Sequence, residues 1–89
     1  MITLEEFFSS KKELAIHCKT EEEANNLLKA FDKLGRKWSA GDSYLKDNHW
    51  RHYKADTCYS NKGMYCYKKN YIEDNCKVYE FEDVILEDK

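Results

Sequence analysis

Ala24, Leu27, Leu28, Phe31 and Leu34 return at helical spacing with polar residues between them, which predicts one apolar stripe along an α-helix. The punctuation on either side agrees. Thr20 is placed to cap the N-terminus, Glu23 three residues on completes a capping box, and Glu21 and Glu22 suit the positive end of the helix dipole. Gly35 stands where a left-handed residue would close the helix. Thr3 and Glu6 repeat the capping-box spacing before Phe7 and Phe8, predicting a short helical turn near the N-terminus.

A period of two marks the strands. Leu14, Ile16 and Cys18 alternate with Ala15 and His17, as a half-buried strand requires. Residues 57–60 and 64–67 flank Asn61-Lys62-Gly63, a hairpin pattern whose three-residue loop pairs Ser60 with Met64, Tyr59 with Tyr65 and Cys58 with Cys66. Alternation then puts Cys58, Met64 and Cys66 on one face, and Tyr59, Tyr65 and Tyr67 on the other. Residues 36–39 read as a further strand, 39–43 as a turn, and 44–56 as an irregular loop with a short strand near 50–53. Residues 69–75 read as a helical turn or loop, and 76–81 as the last strand. Together these predict one α+β domain spanning 1–89, in the order β-α-β-β-β-β. Its one main helix packs on a mostly antiparallel sheet of about four or five strands.

The length of 89 residues sits near the lower limit for unaided folding, and an aromatic content of 15% supplies area for a core. No apolar run approaches a bilayer span, and the acidic start at Met1 does not resemble a secretory leader. A cytoplasmic protein is expected. That compartment favours reduced cysteines, so Cys18, Cys58, Cys66 and Cys76 read as small buried hydrophobes.

The net charge of −2 conceals segregation. Residues 36–71 carry eight Lys and Arg against three Asp and Glu, and six of the seven tyrosines. Residues 72–89 carry two against seven. A basic, aromatic middle third points to an anionic or protein partner.

Catalytic and metal chemistry find less support. His49-x-x-His52 with Cys58 and Cys66 supplies four zinc-type ligands, but the spacing matches no zinc pattern. His17 and Cys18 are neighbours in a strand and so face opposite ways, which denies them a thiolate–imidazole pair. The three glycines are each explained by a cap or turn, leaving no phosphate loop. The expectation is a chain that is not an enzyme and holds no cofactor or metal. Its binding surface is expected at Trp50, Arg51, His52, Tyr53, Lys54, Tyr59, Tyr65 and Tyr67. A sheet with one uncovered aromatic face and free edges also offers a surface for a homodimer.

Three stretches carry a resemblance: residues 15–24, from Ala15-Ile16-His17-Cys18; Leu34-Gly35-Arg36-Lys37-Trp38-Ser39-Ala40-Gly41; and Val78-Tyr79-Glu80-Phe81-Glu82-Asp83. Together they resemble small accessory proteins of phages and prophages of Gram-positive bacteria. The resemblance implies an anti-defence role of the anti-CRISPR type, exerted by binding a host defence protein or ribonucleoprotein. The alternative it implies is a sponge that sequesters a small anionic nucleotide used as an immune signal.

Overall fold

The computed structural model describes residues 1–86. In chain order the first elements are β1 (Ile2–Thr3), α1 (Leu4–Ser9), β2 (Leu14–His17) and α2 (Glu21–Lys33). There follow α3 (Trp50–Tyr53), β3 (Thr57–Ser60), β4 (Tyr65–Tyr67), α4 (Lys68–Glu73), β5 (Lys77–Glu80) and β6 (Val84–Ile85). Short 3₁₀ turns occupy Lys54–Asp56 and Phe81–Asp83. The α+β class holds, but four helices among the described residues share the covering work expected of one. The last three residues of the acidic C-terminal segment, 87–89, lie outside the described residues.

The central sheet has the order β4-β3-β2-β5, with β2–β3 and β3–β4 antiparallel and β2–β5 parallel. The mostly antiparallel sheet expected from the sequence is thus present, and one parallel pairing, β2–β5, makes it mixed. The cause is directional. β4, one strand removed from β2, and β5, paired with it, both run in the direction of β2, and two strands pointing one way need a crossover between them, which α4 supplies. β1 and β6 form a separate parallel pair, Ile2 opposite Val84.

Local chemistry explains most element ends. In the first capping box the Glu6 backbone N–H donates to Thr3 Oγ1 at 3.1 Å, and the Thr3 N–H donates to Glu6 Oε1 at 3.0 Å. At α2 Thr20 caps as expected, but the Glu23 carboxylate accepts from the Lys19 N–H at 2.8 Å. Both α2 and α4 stop in a Schellman turn. The Arg36 N–H reaches the Phe31 carbonyl at 3.1 Å through Gly35 at φ 77°, and the Cys76 N–H reaches the Tyr71 carbonyl at 2.9 Å through Asn75 at φ 62°. Leu34, expected on the buried stripe, is instead exposed at the cap.

The hairpin forms in the expected register, with Cys58 opposite Cys66 and Tyr59 opposite Tyr65. Asn61 fastens it to the rest of the molecule. Its side-chain oxygen accepts from the Leu14 N–H at 3.1 Å, while its amide donates to the Phe7 and Lys12 carbonyls at 2.9 and 3.0 Å. Gly63 lies against residues 37–39: a Cβ there would sit 2.6 Å from the Ser39 nitrogen, and the Ser39 N–H donates to the Gly63 carbonyl.

Residues 36–39 do not form the expected strand. Lys37 makes only an isolated bridge to Ser43, and the segment is held by the buried Trp38 ring rather than by a ladder. Residues 50–53, also expected as a strand, are the single helical turn α3.

The main core lies between α1, α2 and one face of the sheet, where Phe7, Ile16, Cys18, Leu27, Phe31, Trp38, Tyr44 and Tyr59 are buried. Phe31 stands at its centre, with ring centroids 5.8 Å from Phe7, 4.8 Å from Phe8 and 5.2 Å from Tyr44. Such offset and edge-on pairs add ~0.5–1.5 kcal/mol to what burial provides. The opposite face is not bare. Tyr71 of α4 covers Ala15 and Cys58 in a smaller cluster, with Cys66, Cys76 and Val78 at its margin.

Candidate partner-binding surface

α3 lies beside β3 and β4 at one end of the sheet, where the chain passes from the aromatic face toward the face under α4. It is held in place at both ends. Ahead of it, Asp47 accepts from the His49 N–H at 2.8 Å and from the Arg51 guanidinium at 2.9 Å. These hydrogen bonds, the backbone one first, hold the Asp47 carboxyl below its ordinary range. Behind α3, the Ala55 carbonyl accepts from His17 Nε2 at 2.7 Å, and His17 Nδ1 meets Glu80 Oε1 at 2.8 Å. Lys68 Nζ adds a third contact, 3.0 Å from Glu80 Oε2. Burial by itself would push the Glu80 carboxyl up. The bonds from Lys68 and His17, with their charges, outweigh it and leave the group below its ordinary range.

The residues bracketing α3 have unusual backbones. His49 is left-handed at φ 56°, ψ 15°, and Lys54 adopts φ 50°, ψ −120°. The latter are the dihedrals of the first central position of a type II′ turn, which glycine ordinarily fills. A lysine held there costs on the order of 1–3 kcal/mol, the kind of strain that collects at functional surfaces.

Rings form a continuous array over this end. His49 stacks on Tyr65 with centroids 4.2 Å apart and planes 6° from parallel. His52 lies 5.7 Å from Tyr65, Tyr53 lies 6.1 Å from Tyr65, and Tyr67 lies 5.4 Å from Tyr53. Trp38 closes the inner end, 4.9 Å from His49. Burial lowers the His49 pKa, Arg51 and His52 push it the same way, and Asp47 only partly opposes them, favouring the neutral ring that stacks on Tyr65. The Cys66 thiol, and burial after it, raise the Tyr53 hydroxyl.

Of the eight residues assigned from sequence, six reach this surface. Arg51, His52 and Lys54 are exposed, Tyr67 is 39% exposed, and Tyr53 and Tyr65 are half-buried with their rings in the array. Two do not. Tyr59 has no exposure and donates its hydroxyl to the Asn48 carbonyl at 2.6 Å, so it is a core residue that anchors the loop before α3. Trp50 is half-buried against the main core. Both follow from the same fact: the Tyr59 face of the sheet, expected to be open, is the one covered by α2 and residues 38–50. Arg51 is exposed, but its charge is already paired with Asp47.

The eight residues assigned from sequence leave out His49, which stacks on Tyr65, and Asp47, His17 and Glu80, which serve as supports. Only Asp47 left a signal, standing four residues before Arg51 at helical pairing distance. The four zinc-type ligands are divided by the sheet, since His49 stacks on Tyr65 while Cys58 and Cys66 adjoin the Tyr71 cluster. Among the described residues no three His, Cys, Asp or Glu side chains gather as a metal site, and no helix is long and apolar enough to cross a membrane.

Compared with protein-family models, curated proteins and solved structures, the chain finds no significant match.

Proposed function

We propose that this chain is a non-enzymatic phage accessory protein of the bacterial cytoplasm. It acts by docking on a protein or ribonucleoprotein of a host defence system, in the manner of an anti-CRISPR inhibitor. The observation that carries the reading is the strained, exposed turn at Lys54 beside the ring array of His52, Tyr53, Tyr65 and Tyr67. A fold holds a lysine in a glycine conformation at a cost, and presentation of its side chain is a reason to bear that cost. Aromatic rings and cations are also the side chains that dominate protein interfaces.

A macromolecular partner fits this surface better than a small nucleotide. His49 and Tyr65 already occupy each other's faces, where a base would have to stack, and the Arg51 cation that would hold phosphate is committed to Asp47. What remains outward is the rim: His52, Lys54 and Tyr67.

The test is capture and protection together. Wild-type chain and a Lys54→Glu, Tyr67→Ala variant are used as bait in lysate of a host carrying a defence system, and each is expressed during phage challenge. Wild type should retain a defence component and restore plaques; the variant, with an unchanged melt, should lose both at least tenfold. Equal capture and equal protection by the two proteins, or no protection by either, overturns the reading. Size-exclusion chromatography of the bait alone separates this from self-association through the β4 edge.

A further inference from the structure

The hairpin places two thiols in direct opposition. Cys58 of β3 is the register partner of Cys66 of β4, and both side chains belong to the small cluster beneath Tyr71. The Ser60 N–H donates to the Met64 carbonyl at 2.9 Å, and hydrogen-bonded pairs recur at every second position of an antiparallel ladder, so Cys58 and Cys66 form such a pair. Cα atoms at these positions are ~5.5 Å apart, inside the range that a disulfide bridges. Their Cβ atoms are at the wide end of ~4.5–5.5 Å, whereas a relaxed disulfide prefers ~3.8 Å. A bond there can close, but only by drawing the strands together, and a strained disulfide is easily reduced.

We propose that Cys58 and Cys66 are a reversible thiol–disulfide pair, closed by hydrogen peroxide and reopened by a small thiol. The inference is independent of the proposed partner.

The two thiols differ in access. Cys58 is buried, and burial pushes its thiol up to about 12, so it is a poor first nucleophile. Cys66 is half-exposed at the edge strand and meets the oxidant first. Its sulfur attacks one peroxide oxygen, the O–O bond breaks, and sulfenic acid and water result. The Cys58 sulfur then attacks the Cys66 sulfur as the S–O bond breaks. The thiol proton leaves with the departing hydroxide as a second water. Two thiols lose two electrons, and one peroxide gains them.

The remaining cysteines are placed otherwise. Cys18 belongs to the main core across the sheet, and the Cys76 thiol points to Glu13, 3.9 Å away. Closure also removes the Cys66 thiol from beside Tyr53, so the Tyr53 hydroxyl should titrate nearer its ordinary value in the oxidised protein.

The experiment treats reduced full-length protein with hydrogen peroxide, blocks free thiols, digests at lysine and arginine, and maps the peptides by mass spectrometry. The four cysteines fall in separate peptides, with Cys58 in 55–62 and Cys66 in 63–68. The expected product joins those two, is lighter than the reduced chain by two hydrogens, and reverts with reduced glutathione. Cys58→Ser should convert it to a Cys66 sulfenic acid trapped by dimedone. A Cys66–Cys76 link, a link between two chains, or oxidation of Cys66 straight to sulfinic acid in the wild type overturns the proposal.

Discussion

The two faces of the central sheet are held by different physics. On the α2 side most contacts are between rings and aliphatic chains, Phe7, Ile16, Leu27, Phe31, Trp38 and Tyr59, and the main requirement is that their volumes fit, with Tyr59 and Trp38 each donating one hydrogen bond at the margin. On the α4 side the side chains are small or polar: Ala15, His17, Cys58, Val78 and Glu80, with a tyrosine and a lysine laid over them. There the requirement is that donors meet acceptors. The difference matters because α3 crosses from one face to the other. Tyr59 fixes its approach through Asn48, and His17 fixes its exit through Ala55. The candidate surface therefore depends on both kinds of support, and each can be removed separately.

The largest effect should come from the aromatic face. Phe31→Ala removes a fully buried ring and should cost about 3–5 kcal/mol in a denaturant titration, enough to leave a small domain partly unfolded. A cost no greater than that of an exposed-site change would mean that the α2 face is not the main source of stability.

Next is the polar face. Glu80→Gln keeps the shape but removes the charge that His17 and Lys68 meet, and should cost about 1–2 kcal/mol at neutral pH, allowing for partial exposure of the carboxylate. The pH dependence has a definite sign. Glu80 titrates lower in the folded than in the unfolded chain, so its contribution is whole above the ordinary carboxylate range and is lost as pH falls through the folded value. The stabilities of wild type and variant should therefore converge on acidification. A gap that stays constant with pH would assign the loss to packing instead.

The smallest effect joins the two regions and has the opposite sign. Lys54→Gly relieves the positive-φ strain and, after the entropy that glycine loses on folding, should raise stability by about 0.5–1 kcal/mol. Lys54→Ala, which keeps the strain, should not. If the turn serves binding, the glycine variant should be more stable yet weaker in partner capture. A glycine variant that is less stable than wild type would show that the Lys54 side chain supports the fold.

Segments whose pattern repeats were legible. α2 could be read because Thr20, the Ala24-to-Phe31 stripe and Gly35 agree with one another, and the hairpin because Asn61-Lys62-Gly63 separates two alternating runs. Residues 36–56 have neither period nor proline, and their conformation is settled by where Trp38 and Tyr44 find room and which carbonyls remain to be met. For the surface, the sequence marked the right stretch but could not sort its rings. Tyr59 and Tyr65 share a sheet face, and only the position of α2 and the loop leaves one sealed and the other at the margin.

By itself the sequence determined the α+β class, the caps, the hairpin register and the basic, aromatic character of the middle third, because these depend on neighbours within one or two turns of chain. The tertiary structure alone decided the parallel placement of β5, the pairing of His17 with Glu80 sixty-three residues away, and the strain at Lys54. Those depend on which surfaces meet once the chain has closed on itself, and contacts between distant residues leave no period for a sequence to display.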